Sequence, residues 1–292
     1  MSLNSVNTNV GAMVALQSLN RTNAEMATVQ KRISTGLRVA DARDDGAAFA
    51  VAERVRGDMA ATQAANQQLG GTKGLLDVAR AGLENVSETL KNVRTTIVRL
   101  ADERLSADER TQYQNQLKDQ VNQIKNFLAD AKYNGQTILM TDVTAGAAGS
   151  VKTIRNGDGD AYEFNRISVK DSITTQLENL VATGSTGLMA AGNTGAANAR
   201  TALGAGGDLT KAVNGTLTAL NAVGGYSRYV DSQIEFNKSR MDAQEAGLGA
   251  LIDADLAKES ARLQALQIRQ QLGSQSLGIA NQAPQVLLSL FR

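Results

Sequence analysis

From Leu76 the apolar positions fall at Leu76, Ala79, Leu83, Val86, Leu90, Val93, Ile97 and Leu100, in strictly alternating steps of three and four. That spacing keeps one face of a helix apolar along its whole length and defines a heptad seam. At about 1.5 Å per residue it predicts a rod roughly 37 Å long, which must lie along other long helices to bury its stripe. Ser106-Ala-Asp-Glu109 has the form of a capping box. It opens a second helix with a seam of Tyr113, Leu117, Val121, Ile124, Leu128 and Ala131, stopped by Asn134-Gly135. Near the start of the chain Leu19, Met26 and Ile33 recur every seven residues, with Leu16 and Val29 in neighbouring slots and Gly36 as the stop. The far end mirrors this. Val230, Ile234, Met241, Leu248, Leu251 and Ile252 form a long stripe, and Leu256, Leu263 and Leu277 hold a seven-residue spacing with Gln270 in the missing slot.

Between these helical ends, from about 141 to 215, the composition turns to Gly, Ala, Thr and Asn. Residues 151–155 and 162–169 flank Asn156-Gly-Asp-Gly-Asp160 and predict a β-hairpin with a Gly-rich turn. A short helix is expected at 172–181, and loop beyond it. The fold class is therefore mainly α: a long antiparallel coiled-coil or helical-bundle rod formed by both chain ends, with a small β-hairpin region in the middle. The expected division is an inner coiled coil from 1–42 with 254–292, a helical rod from 43–140 with 216–253, and an outer hairpin and Gly/Ala-rich region at 141–215.

Composition narrows the chemistry. The 292 residues include no His, no Cys and no Trp, and only 3% are aromatic. Ser-His-Asp and Cys-His catalysis, thiol redox couples and the usual zinc sites are excluded. A net charge of +1 with few stacking rings argues against a nucleic-acid partner. No run approaches the roughly 18 apolar residues of a membrane span, and no basic start with an apolar run marks a cleaved signal peptide. Asn156, Asp158 and Asp160 lack the Gly and the bidentate Glu of a calcium loop, having Ala161 and Ile167 at those places. Leu209 stands where a phosphate loop needs Gly. The carboxylates Asp41, Asp44 and Asp45 follow the Gly36 break and suit a helix cap or a salt bridge better than acid-base work. Apart from the terminal amine nothing before Arg21 is charged, and nothing from Gln270 to Phe291 is. Such uncharged amphipathic ends suit helices that bury one face against a partner.

Ile33-Ser-Thr-Gly36-Leu37-Arg38, followed by Asp41, Asp44-Asp45 and Ala47-Ala48, resembles the N-terminal signature of bacterial flagellins. Asp253-Ala-Asp255-Leu-Ala-Lys258-Glu259-Ser260-Ala-Arg262, Gln270-Gln-Leu-Gly273 and Ile279-Ala-Asn281-Gln282-Ala-Pro284 to Phe291-Arg292 are similar to the family's ending, and Tyr133-Asn134-Gly135 resembles its Phe-Asn-Gly element. The resemblance implies a short flagellin with a reduced outer region, a structural subunit of the extracellular filament that drives swimming, and no enzyme and no cofactor. It implies export, unfolded and uncleaved, through the flagellar type III apparatus. The implied partners are other flagellin subunits, the flagellar cap and hook-junction proteins, and a cytoplasmic export chaperone at the C-terminal segment.

The self-assembly stripes would be Leu16, Leu19, Met26, Val29 and Ile33 at one end, and Leu256, Leu263, Leu266, Leu277, Leu287, Leu288, Leu290 and Phe291 at the other. Gly36, Arg38, Asp41, Asp44 and Asp45 would form the signature loop. Many flagellins engage a vertebrate innate immune receptor through a motif like Gln-Arg-Val-Arg-Glu-Leu-Ala-Val. The matching stretch, 91–98, keeps Arg94 but has Asn92 in place of Arg and Thr96 in place of Leu, so weak activation is expected. The alternative within the superfamily is a hook-filament junction protein, which generally lacks the Ile-Ala-Asn-Gln-Ala-Pro ending.

Overall fold

The structure is a computed structural model that describes residues 8–141, 149–184 and 187–290, with side chains described as far as Gln282. In chain order it comprises α1 (Val10–Thr35), α2 (Gly46–Leu100), α3 (Ala107–Asp130), β1 (Leu139–Met140), β2 (Ser150–Ile154), β3 (Ala161–Asn165) and β4 (Ile167–Ser168). A π-helical turn (Lys170–Thr174) then leads into α4 (Thr175–Leu180), α5 (Gly192–Leu203), α6 (Asp208–Ile252) and α7 (Leu256–Leu290). Two compact units result, Met1–Gly57 with Asp242–Arg292, and Asp58–Met241.

In the larger unit the heptad seam of α2 is fully buried from Leu76 to Leu100. It shares one core with Leu117, Val121, Ile124 and Leu128 of α3 and with Leu209, Ala212, Ala219, Val223 and Val230 of α6. The capping box at Ser106 and Glu109 closes the start of α3 in both directions. Its seam is headed by Arg110, only 4% exposed, which no apolar pattern could reveal. The Arg110 guanidinium donates to the carbonyls of Leu100 (2.9 Å) and Asp102 (2.8 Å), satisfying acceptors that the end of α2 leaves free. After α3, Asn134 (φ 50°) and Gly135 (φ 75°) make the left-handed turn that a two-residue reversal requires.

The hairpin pairs β2 with β3 antiparallel, Val151 opposite Phe164 and Thr153 opposite Tyr162. Phe164, Val169, Ile173, Leu177 and Leu180 belong to the same core as the long helices, so the middle segment is packed into the larger unit. The turn is seated as firmly as the strands. The Arg155 carbonyl accepts from Asn237 Nδ2 (2.9 Å) and Gln233 Nε2 (3.3 Å). Gly157 lies so close to α2 that a Cβ there would meet Thr62 Oγ1 at 2.9 Å and its amide nitrogen at 3.0 Å.

Residues 192–203, read from sequence as loop, form helix α5. Ala196, Ala199 and Ala202 are its buried face, and Ala is the best helix former, so a Gly/Ala-rich composition concealed a tightly packed helix.

Candidate assembly surface

In the smaller unit the signature residues build a junction. Gly36 takes φ 72°, a left-handed cap whose N–H returns to Arg32 O, and so ends α1. The chain then pairs with the end of α6. Leu37 bridges Asp253, Arg38 N and Val39 N donate to Ile252 O (2.7 and 3.2 Å), and Ala254 N donates to Gly36 O (2.9 Å). The Arg38 guanidinium also donates to Leu251 O. Beneath lies a small core of Val39, Ala48, Ala52 and Ile252, flanked by Leu37, Phe49, Leu248 and Leu251.

The three carboxylates serve this junction. Asp45 Oδ1 accepts from Ala47 N and Ala48 N (3.1 and 3.0 Å) and caps α2. Asp41 Oδ1 accepts from Arg43 N (2.8 Å), and Asp44 Oδ2 from Ala40 N (3.1 Å). Lys31 Nζ lies between them, 2.6 Å from Asp41 and 3.0 Å from Asp44. Its hydrogen bonds to both carboxylates hold the ammonium above the ordinary lysine value. Conversely, the Lys31 bond, aided by the Arg43 N–H at Asp41 and the Ala40 N–H at Asp44, holds both carboxyls below the ordinary range. Asp255 Oδ1 opens α7 in the same manner, accepting from Lys258 N (3.0 Å).

Beyond the junction α1 and α7 run antiparallel. Arg32 Nη1 meets Glu259 Oε1 at 3.2 Å, Gln270 Nε2 donates to Asn23 Oδ1 at 2.9 Å, and Asn9 Nδ2 donates to Ala280 O at 2.7 Å. The inward positions of α1 are Ala12, Ala15, Leu19, Thr22, Met26, Val29 and Ile33. Those of α7 are Glu259, Leu263, Leu266, Gln270, Gly273, Leu277 and Ala280. Both sets step by four and three, the spacing of a coiled-coil seam. The backs of the helices are apolar too: Val10, Met13 and Val14 are 60–65% exposed and Ile279 is 70% exposed.

Comparison with known proteins addresses what such a surface belongs to. The model of the bacterial flagellin N-terminal helical region matches residues 6–144, and that of the bacterial flagellin C-terminal helical region matches residues 207–291. Flagellin FljK of Caulobacter vibrioides is 35% identical over 292 residues, covering 100% of both chains. A flagellin of Brucella melitensis is 33% identical, covering 99% of each. The chain belongs to the bacterial flagellins. It is accordingly a structural, filament-forming subunit of the extracellular flagellum and not an enzyme.

Within this flagellin the sequence-derived stripe divides. Leu19, Met26, Val29, Ile33, Leu263, Leu266 and Leu277 lie in the seam, with Val29 and Leu266 deepest. Leu16 and Leu256 do not: each is 48% exposed, and Ala15 and Glu259 take the inward positions near them. A seam this close selects small or paired side chains, and a search for large apolar residues stepped to their neighbours. Leu287, Leu288, Leu290 and Phe291 lie outside the described side chains. Glu259 stands in the C-terminal motif but not in the expected stripe, although the strict alternation of fours and threes from Leu263 points to it as a seam position.

Of the receptor-matching positions, Asn92 and Arg94 are exposed on α2. Thr96 is 3% exposed and turned inward, its hydroxyl bonded to Asn92 O and Gln120 Oε1 (both 3.2 Å). The expected loss of an apolar receptor anchor at Thr96 therefore concerns a side chain that faces α3. Among the described residues no cluster of acidic side chains is arranged to hold a metal ion, and no helix is long and apolar enough to cross a membrane.

Proposed function

We propose that this flagellin leaves the cell unfolded through the flagellar type III apparatus, adds to a growing helical tube and serves swimming motility. The observation that carries the reading is the exposed apolar back of the α1–α7 pair, Val10, Met13, Val14 and Ile279, on helices whose inward faces are already matched. Contiguous exposed apolar surface marks an interaction site. Covering each of these side chains contributes about 1–2 kcal/mol, which offsets the entropy of fixing the terminal helices. A heterologous contact whose rotation does not close extends into a helical tube, and uncharged Asn, Gln and Ser faces suit a lumen through which unfolded subunits pass. The tube requires a cap and a hook-junction partner at its ends, and the C-terminal segment requires a cytoplasmic chaperone before export.

Negative-stain electron microscopy of purified protein, with and without short filament seeds and a precipitating salt, tests the reading. Long helical filaments support it. Only caps, short rings or monomers would refute it and favour the hook-filament junction role.

A further inference from the structure

Asn is followed by Gly at three places, Asn134-Gly135, Asn156-Gly157 and Asn214-Gly215. Such a pair is open to attack by its own backbone, because a Gly nitrogen with no Cβ beside it reaches the neighbouring carboxamide carbon with little steric hindrance. The fold treats the three pairs differently. Asn214 and Gly215 lie inside α6, where the Gly N–H is committed to the helix, and a Cβ on Gly215 would stand 2.6 Å from Ser172 O, so this backbone has no room to swing. The Asn156 carboxamide is fixed at both ends. Its Nδ2 donates to Asp158 Oδ2 (3.3 Å) and Asp160 Oδ2 (3.0 Å), and its Oδ1 accepts from Asp160 N (2.9 Å). Gly157 behind it is pressed against Thr62. Asn134 has no such restraint. Residues Asn134, Gly135 and Gln136 are exposed, and among the described residues no hydrogen bond holds the Asn134 carboxamide. The turn is closed by Tyr133 N to Gln136 O (2.8 Å) and Gln136 N to Tyr133 O (3.0 Å), which leave the Gly135 N–H out.

We propose that Asn134 is a site of spontaneous covalent modification, deamidating through a cyclic imide formed with Gly135. The left-handed turn, with φ 50° at Asn134 and 75° at Gly135, keeps the reacting atoms apart, so it must first open; two exposed hydrogen bonds are all that this breaks. Gly135 N then gives up its proton and bonds to Asn134 Cγ. The Cγ–Nδ2 bond breaks, and the side-chain nitrogen takes up the proton and leaves as ammonia. Water adds to one imide carbonyl and breaks one C–N bond, giving aspartate or β-linked isoaspartate at this position. Water is the one co-reactant, and nothing is oxidised or reduced. Either product adds a negative charge. The isoaspartate also brings a methylene into the main chain, which removes the tandem left-handed geometry that pairs Tyr133 with Gln136.

Mass spectrometry of the purified monomer, aged in warm, mildly alkaline buffer and then digested with trypsin, provides the test. The three pairs fall on separate peptides, 133–152, 156–166 and 212–228, and Asn134 is the sole Asn of the first. Conversion of amide to acid should run at least tenfold faster at Asn134 than at Asn156 or Asn214. In concentrated urea the three rates should converge to within threefold, because the ranking is imposed by the fold. Rates within twofold of one another in the folded protein, a faster reaction at Asn156 or Asn214, or a ranking that persists in urea would overturn the proposal. Peptide 133–152 from aged protein should also accept methyl groups from an isoaspartate-specific methyltransferase; acid product without isoaspartate would overturn the imide step. Asp158→Ala combined with Asp160→Ala frees the Asn156 Nδ2 and should raise conversion at Asn156 at least threefold, and an unchanged rate would overturn the argument that carboxamide bonds set the order.

Discussion

Replacing Phe164 by Ala measures how far the hairpin and the long helices are one cooperative structure. The Phe164 ring is fully buried. It meets Tyr162, Tyr226 and Tyr229 edge-on at centroid distances of 4.8, 5.1 and 6.2 Å, while Tyr162 stacks on Tyr229 at 4.0 Å. Tyr226 and Tyr229 belong to α6, so the cluster is the joint between strand and rod. Truncating a buried Phe costs about 3–5 kcal/mol in lost transfer energy and cavity formation. For a unit of this size that lowers the melting temperature by roughly 6–20 °C. Phe164→Leu, which keeps most of the volume, should cost less than about 1.5 kcal/mol beyond the lost ring contacts.

The assay is thermal denaturation of the monomer followed by its helical circular-dichroism signal. A two-stranded hairpin is marginal alone and contributes almost nothing to that signal, so a shift in the helical transition reports coupling. If Phe164→Ala moved the helical transition by less than about 3 °C, the hairpin would be an outer appendage, and the argument from the shared core would fail.

Three further outcomes follow from the smaller unit and from α2. Glu259→Leu or Arg32→Met alone should cost about 2–4 kcal/mol, because each leaves a poorly solvated charge; the double variant should cost about 1 or less, as read from amide-exchange protection at residues 259–266 in filaments. Equal losses for single and double variants would refute a coupled pair. The Asp41 and Asp44 carboxyls titrate below their unfolded value, so their stabilisation is complete above about pH 4 and is lost as pH falls through the folded values; Lys31 titrates above its unfolded value, so its share is lost only as pH rises beyond that range. Amide exchange at residues 37–44, corrected for intrinsic rates, should therefore hold steady above about pH 4 and accelerate on acidification below it, and less so in Lys31→Met; equal acceleration would remove Lys31 from the account. A reporter-cell assay for the innate immune receptor should give a weak response, since Asn92 supplies no cation beside Arg94, and restoring Asn92→Arg should raise it. A full response from the wild type would overturn this.

What was legible in the sequence follows from the size of the residues at each seam. Along α2 the interior positions are Leu, Val and Ile, so their spacing announces the helix, its face and its length. The first half of α6 is interior at Ala212, Thr216 and Ala219, and the outer part of the α1–α7 pair at Ala12, Ala15, Gly273 and Ala280. Helices that approach closely need small residues between them, and small residues carry little hydrophobic signal, so those seams were hidden where packing is tightest. The signature loop was legible as chemistry, with Gly at the left-handed position and Asp beside free N–H groups, but the Lys31 bridge was not, because α1 returns it to the loop only after folding. The same logic gives the exposed residues of the stripe a meaning. A large apolar side chain beside a seam of small ones cannot enter that seam: Leu16 sits next to Ala15 and stays exposed. Its hydrophobicity is therefore free for a second surface, such as the one proposed above for a neighbouring subunit.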